Sequence, residues 1–339
     1  MTLFLFNYDC EFEWANDPAQ VANPQSPWAV LNAQAPILWP LMQPGDRLAV
    51  YGHPQFSTEF AEILGFVPEL WPVQGGPTNR VTLDLGPYSG AICPWGWSPR
   101  ALKLAGRPVD LTYKKLFSKT FDRPHPLAPP CHLVSGPETL PEALAQAYQD
   151  WGPTRVKHPL GSSGRLSAIY LGGPPPKAWF RWAKEGLILE KQLDLKAEWS
   201  LQFELEPEGP RFLGGTKLFT TRQGAHLGNW AGPMGGHLAP LEPTALALAQ
   251  KVFKEGYLGP LGIDILETTE RLYLGEINPR LTMGRLALEW SAKLGQPGLL
   301  SMSGPGPRPF GWREIFTESG PHAQGRRLGW QKMETFENL

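Results

Sequence analysis

The chain has 339 residues and a formal net charge of −1; with 42% hydrophobic and 19% charged residues it can bury a large core, and no basic excess points to nucleic acid. Cys10, Cys93 and Cys131 have no metal-like spacing and give no disulfide framework. No stretch approaches the roughly 20 apolar residues of a membrane span, and MTLFLFNYD lacks the basic start of a signal peptide, so a cytoplasmic location without a membrane partner is expected.

In chain order, residues 2–7 read as a buried strand, 47–51 as a second strand and 57–64 as a helix, an alternation that suggests a small α/β domain. PWGWSP, residues 94–99, is a rigid aromatic turn. New material starts at residues 112–120, and the Pro-rich stretch 124–130 reads as an exposed connection. Residues 137–151 have helical spacing, with Leu140, Leu144, Ala147 and Tyr148 on one face. Strands follow at 154–158, 167–171 and 187–192. Residues 198–205 alternate as a strand does, and 217–221 can pair with them. Residues 243–255 form a helix, with Pro243 in its first turn and Gly256 after its end. The Gly-, Pro- and Arg-rich tail from residue 304 is expected to pack loosely. Glycine and proline, 37 of each, are spread along the chain and imply tight connections rather than disorder. Most of the 14 tryptophans should be core or domain-contact residues.

The most informative run is GIDILETTERLYLGEINPRLTMGR, residues 262–285. Two short apolar strands joined by a polar turn at 268–270 would bring Asp264 opposite Glu276. Asn278, two residues beyond, shares the Glu276 face. Two carboxylates and an amide oxygen suit Mg²⁺ or Mn²⁺ and leave positions for phosphate oxygens. An ordinary hairpin with a solvated glutamate is the plainer reading of the run alone. In RVKHPLGSSGR a strand ends at Lys157, and the small residues Gly161, Ser162, Ser163 and Gly164 let backbone N–H groups approach phosphate, with Lys157 and Arg165 adding charge. The glycine spacing of a Walker A loop is absent, and a simple hairpin turn is the alternative. In LILEKQLDLKAEW, residues 187–199, a purine can sit against Ile188 and Leu193. The backbone of 191–193 would bond the adenine edge, Glu190 would take its amino group, and Glu198 would accept from ribose hydroxyls. Both glutamates are otherwise solvent-facing strand residues.

The ordered set LFSKT, VKHPLGSSGR, ILEKQL, a Lys-bearing strand and GIDILE…LGEINPR, spanning residues 113–285, resembles the ATP-grasp superfamily of carboxylate–amine ligases. The N-terminal segments FNYDCEFEWAN and PWGWSP look like a bacterial branch other than the alanine ligases and carboxylases. The resemblance implies an α/β (α+β) ATP-grasp fold with an N-terminal α/β domain (1–111), a central subdomain (112–190), a C-terminal subdomain with the metal site (191–303) and a tail (304–339), with ATP held between the two subdomains. It makes Lys119 and Lys157 the phosphate lysines, although Lys114 and Lys115 lie near enough to Lys119 to be confused with it. Residues 161–164 become the phosphate-covering loop. Glu190, Gln192 and Leu193 fall at the adenine hinge, and Glu198 is the ribose acid. Asp264, Glu276 and Asn278 match the metal ligands. Arg280 fits the arginine that stabilises phosphate or acyl-phosphate, and Lys217 or Arg222 the later basic group near the γ-phosphate.

The implied activity is an ATP- and Mg²⁺- (or Mn²⁺-) dependent, ADP-forming C–N ligase that joins a small-molecule or peptide carboxylate to an amine through an acyl-phosphate. A homodimer is left open. An ATP-grasp kinase, a non-catalytic nucleotide-binding module and a plain α/β structural protein are the alternatives. The Gly-rich segment 223–236, with His226, Asn229 and Trp230, is read either as a substrate loop or as a surface loop.

Overall fold

A computed structural model of the chain describes residues 1–8, 10–15, 34–50, 54–72, 88, 90–161, 166–221, 226–234, 236–304, 307, 310–318 and 326–335. The first part holds β1 (Thr2–Leu5), β2 (Arg47–Val50), β3 (Gln55–Phe56), β4 (Glu69–Pro72) and β5 (Ala91–Pro94), with helices α1 (Cys10–Ala15), α2 (Thr58–Leu64), α3 (Pro99–Leu104) and α4 (Leu111–Phe117). Four of these strands form a parallel sheet in the order β4-β2-β1-β5. β1 lies inside it, and its apolar run TLFL suits a strand covered on both faces; Leu3 is fully buried.

The second part is β6 (Cys131–Val134), α5 (Leu140–Trp151), β7 (Thr154–Lys157), β8 (Ser167–Tyr170), α6 (Lys177–Trp182) and β9 (Leu187–Lys191). Its antiparallel sheet has the order β6-β9-β7-β8. The apolar stripe Leu140, Leu144 and Ala147 of α5 packs on Val156, Leu187 and Leu189, which project from one face of that sheet. Strand alternation sends Arg155, Lys157, Ile188 and Glu190 to the other face.

The third part runs through β10 (Ala197–Glu206), β11 (Gly209–Thr220), β12 (His226–Ala231), α7 (Glu242–Lys254), β13 (Gly259–Glu267), β14 (Leu272–Asn278), α8 (Met283–Leu294), β15 (Gly298–Ser303), β16 (Trp312–Thr317) and β17 (Arg327–Lys332). These strands and β3 build a nine-stranded sheet in the order β14-β13-β10-β11-β12-β15-β17-β16-β3. In β10, Trp199, Leu201, Phe203 and Leu205 enter the main core with Ala245, Leu248 and Val252 of α7, while Ser200 and Gln202 take the opposite face. Thr282 caps α8 by accepting from the Arg285 N–H at 3.2 Å, and Gly295 ends it with a φ of 63°.

The expectation of a loosely packed tail is corrected. β16 and β17 extend the large sheet, and Phe316, Leu328 and Trp330 are fully buried. The Gly and Arg content of the tail masked two short strands anchored by aromatic rings. Among the described residues no helix is long and apolar enough to cross a membrane.

Candidate active site

β13 and β14 form the expected hairpin. Thr268 closes its turn, with its Oγ1 accepting from the N–H groups of Glu270 and Arg271 at 3.2 and 3.1 Å. Ile263 pairs with Ile277 and Ile265 with Leu274, so a bulge sets Asp264 against both Gly275 and Glu276. Gly275 is required there, because a Cβ would stand 2.9 Å from the Asp264 carbonyl oxygen. Asn278 donates from Nδ2 to Asp264 Oδ2 at 3.0 Å, and Ser200 donates from Oγ to Oδ1 at 2.9 Å. Behind Ser200, Gln202 donates to its Oγ at 2.8 Å, and Thr282 donates to Gln202 Oε1 at 2.7 Å. Burial and the neighbouring Glu276 charge push the Asp264 carboxyl up to about 7. Burial also opposes the charge on Glu276, but Lys119 and Lys157 outweigh it and hold that carboxyl down to about 2. Two carboxylates in one place, one of them resisting ionisation, form a donor set that a divalent cation completes; the three residues fit Mg²⁺ or Mn²⁺.

Lys119 follows α4, its N–H donates to the Pro159 carbonyl at 2.8 Å, and its ammonium bonds Glu276. Lys114 and Lys115 are exposed on α4, and Lys115 pairs instead with Glu255, the residue that caps the end of α7, at 2.8 Å. Of the three lysines, the structure brings Lys119 to the carboxylates. Lys157 ends β7, and its Nζ lies 2.5 Å from Glu190 Oε2. Arg123, which the sequence did not single out, lies 3.7 Å from Glu190 Oε1 and donates to the carbonyls of Gly275 and Leu274. Burial opposes the Glu190 charge, yet Lys157 and then Arg123 hold its carboxyl below the ordinary range. Its expected bond to a purine amino group therefore competes with two cations already in place.

Gln192 accepts from Arg155 Nε at 3.0 Å and donates to the Leu193 carbonyl at 3.0 Å, in the connection between β9 and β10. Glu198 shares the Ser200 face of β10 and accepts from Thr220 Oγ1 at 2.6 Å. Arg280 is beside the metal set but occupied. Nη2 donates to Asn278 Oδ1 at 3.1 Å, Nη1 to the Leu281 carbonyl at 3.0 Å, and Nε to Glu11 of α1. The Lys217 expectation is corrected: it pairs in register with Trp199, whereas Ser200 pairs with Asp264, so Lys217 projects from the opposite face. Its ammonium stands 5.6 Å from the Trp199 ring and 5.4 Å from Phe219. Gly161 lies at the edge of the site, its N–H donating to the His158 carbonyl. Ser162, Ser163, Gly164, Arg165 and Arg222 fall outside the described residues. The loop reading of 223–236 gives way at 226–231, which is β12; Asn229 and Trp230 are buried within the sheet.

No family model matches the chain, and no curated protein matches it in sequence. Solved structures do match. The N5-carboxyaminoimidazole ribonucleotide synthetase of Thermus thermophilus is 17% identical over 100% of this chain and 95% of its own, with a TM-score of 0.58. The Rhizobium etli pyruvate carboxylase matches 98% of this chain through 36% of its own length, at 13% identity and a TM-score of 0.62. The Campylobacter jejuni biotin carboxylase matches 98% of this chain and 87% of its own, at 11% identity and a TM-score of 0.55. These likenesses show the fold alone: a mixed α/β arrangement that the chain shares with these enzymes along nearly its whole length.

Proposed function

We propose that the chain is an ADP-forming carboxylate–amine ligase that uses Mg-ATP and passes through an acyl-phosphate. The carrying observation is the contact of Lys119 with Glu276 on the hairpin that holds Asp264, Glu276 and Asn278, with Lys157 joined to the same hairpin through Glu190 and Arg123. Among the solved neighbours, the Campylobacter biotin carboxylase is a β-γ-ATP complex and a Staphylococcus aureus N5-carboxyaminoimidazole synthetase is an ADP complex.

In this reading Lys119 and Lys157 present ammonium groups to the phosphate oxygens. Asp264, Glu276 and Asn278 would hold a divalent cation, which would supply charge neutralisation at the transferring phosphoryl group. Ser200 and Asn278 each bond one oxygen of Asp264 and fix the plane of that carboxylate. Arg280, held by Glu11, orients the Asn278 amide through its oxygen. By the same resemblance, residues 161–164 would be the loop that keeps water from the acyl-phosphate. The acceptor carboxylate attacks the γ-phosphorus, ADP leaves, and the amine then displaces phosphate to form the amide.

The test is a screen of amino-acid and peptide mixtures for ADP release, with the coupled product read by mass spectrometry. The acceptor found is then labelled with ¹⁸O in its carboxylate. Label in the released phosphate together with an amide product is the expected result. A phosphorylated hydroxyl without free phosphate would make the chain a kinase. Nucleotide binding without ADP release from any mixture would make it a binding module.

A further inference from the structure

Glu190 lies on β9 of the small sheet, within reach of Arg123, which bonds β14 of the large one. In the small sheet, Lys157 pairs with Ile188 and Arg155 with Glu190, so Lys157 and Glu190 project from one face on neighbouring strands. Glu190 faces two cations: Oε2 lies 2.5 Å from Lys157 Nζ, and Oε1 stands 3.7 Å from Arg123 Nε, an ion-pair distance beyond hydrogen bonding. The side chains of Glu190 and Arg123 are each only 5% exposed, so water screens this cluster little. Arg123 turns its remaining donors to the carbonyls of Leu274 and Gly275 on β14, next to Glu276. One carboxylate and one guanidinium thus connect the lysine of the small sheet to the strand that carries the metal acid in the large one.

We infer that Glu190 is a positioning residue for Lys157, and that Arg123 braces the pair against β14, so that together they serve the triphosphate and do not read the base. This assignment rests on the nucleotide site proposed above. The chemistry separates the two roles. A carboxylate that reads adenine is oriented by the exocyclic amine, whereas Glu190 is oriented by two cations, with Oε2 committed to Lys157. A lysine head on a flexible four-carbon stem gains direction when one of its three donors is committed, and two remain for phosphate oxygens.

Binding of adenosine, ADP, Mg-ATP and Mg-GTP to the full chain by titration calorimetry tests the assignment. Arg123→Lys keeps the charge and loses the planar fork, so it reports placement rather than net charge. It should weaken Mg-ATP by at least about fivefold and leave adenosine within about twofold of wild type. Glu190→Gln should leave adenosine affinity and the ratio of ATP to GTP affinity at their wild-type values. If Glu190→Gln weakens adenosine and ATP by the same factor, or erases the ATP-to-GTP ratio, the glutamate reads the base and the inference falls. Wild-type Mg-ATP affinity in Arg123→Lys also overturns it. Should Glu190→Gln fail to fold, the adenosine and ATP comparison in Arg123→Lys decides alone. A wild-type chain that binds none of these nucleotides removes the nucleotide site itself, an outcome distinct from the others.

Discussion

Replacing Asp264 with Asn should make the metal-free protein more stable at pH 8 while abolishing its response to Mg-ATP. The carboxyl of Asp264 is raised from 3.8 to about 7 by burial and by Glu276. A folded-state value above the unfolded one means that the associated stability is full below pH 3.8 and is lost as pH rises through about 7. At pH 8 the wild type has lost all of it. A difference of about three units corresponds to about 4 kcal/mol at 1.36 kcal/mol per unit, an upper bound on what Asn recovers. Asn keeps the shape but can accept from only one of Ser200 and Asn278 in the present arrangement, which costs about 1 kcal/mol. The expected net gain at pH 8 is therefore about 1–3 kcal/mol.

Urea denaturation of both proteins with chelator present, from pH 5 to pH 8, gives the difference as a function of pH. The gain should shrink steadily toward pH 5, because the wild-type carboxyl is by then protonated in the folded state. Saturating Mg-ATP should restore the order, stabilising the wild type and not the variant. A variant less stable than wild type at pH 8, or a difference flat across the range, would refute the account of Asp264 as a strained acid kept for a cation.

Three further outcomes are expected. In the wild type, Mg-ATP at roughly 100 to 1,000 times its Kd should stabilise the fold by about 2–4 kcal/mol, and Lys157→Ala should remove most of that shift; calorimetric melting with and without nucleotide checks both. Glu276→Gln should melt near the wild-type temperature without ligand and lose nearly all ADP formation, and wild-type turnover in that variant would take Glu276 out of the mechanism. Gly284→Ala should lower stability by about 1–2 kcal/mol despite the better helix former, since the new Cβ would stand 2.6 Å from Thr216 Oγ1 and 2.8 Å from Gln202 Nε2; an unchanged melting temperature would show that α8 shifts to accept it.

What was legible in the sequence was local. Asp264, Glu276 and Asn278 lie within one hairpin, so a turn, two apolar runs and a period of two were enough to bring them together. The strand ending at Lys157 and the helix over 140–151 were equally local, each marked by its own periodicity. Lys217 shows where such reasoning stops. Its strand was read only over 217–221, the end of β11 (Gly209–Thr220), and the face it projects from depends on pairing with Trp199, so that a shift of one residue would have reversed it. Nothing in the segment itself fixes that parity. Arg123 and Glu11 lie farther out of reach, because they meet their partners across 151 and 269 residues. No spacing rule spans such separations; only the docking of whole sheets does.

The illegible residues share one physical task. The hairpin supplies the negative charge of the site, and the chain that follows it supplies little to balance that charge: Arg280 is the nearby cation, and it is already engaged by Glu11. Balance comes from Lys119 before the small sheet and from Lys157 within it, and Arg123 connects the Lys157–Glu190 pair back to β14. Lys119 and Arg123, from the segment before the small sheet, reach β14 directly, while the Lys157–Glu190 pair lies within the small sheet, so the charge on Glu276 is balanced only when these segments pack on the large sheet. The same contacts would have to adjust when phosphates enter between the sheets, since Lys119 and Lys157 cannot give all their donors to both carboxylate and phosphate. On the proposed reading, nucleotide binding would therefore have to rearrange these carboxylate contacts, and the cations that sequence reasoning finds hardest to place are the ones that would respond to it.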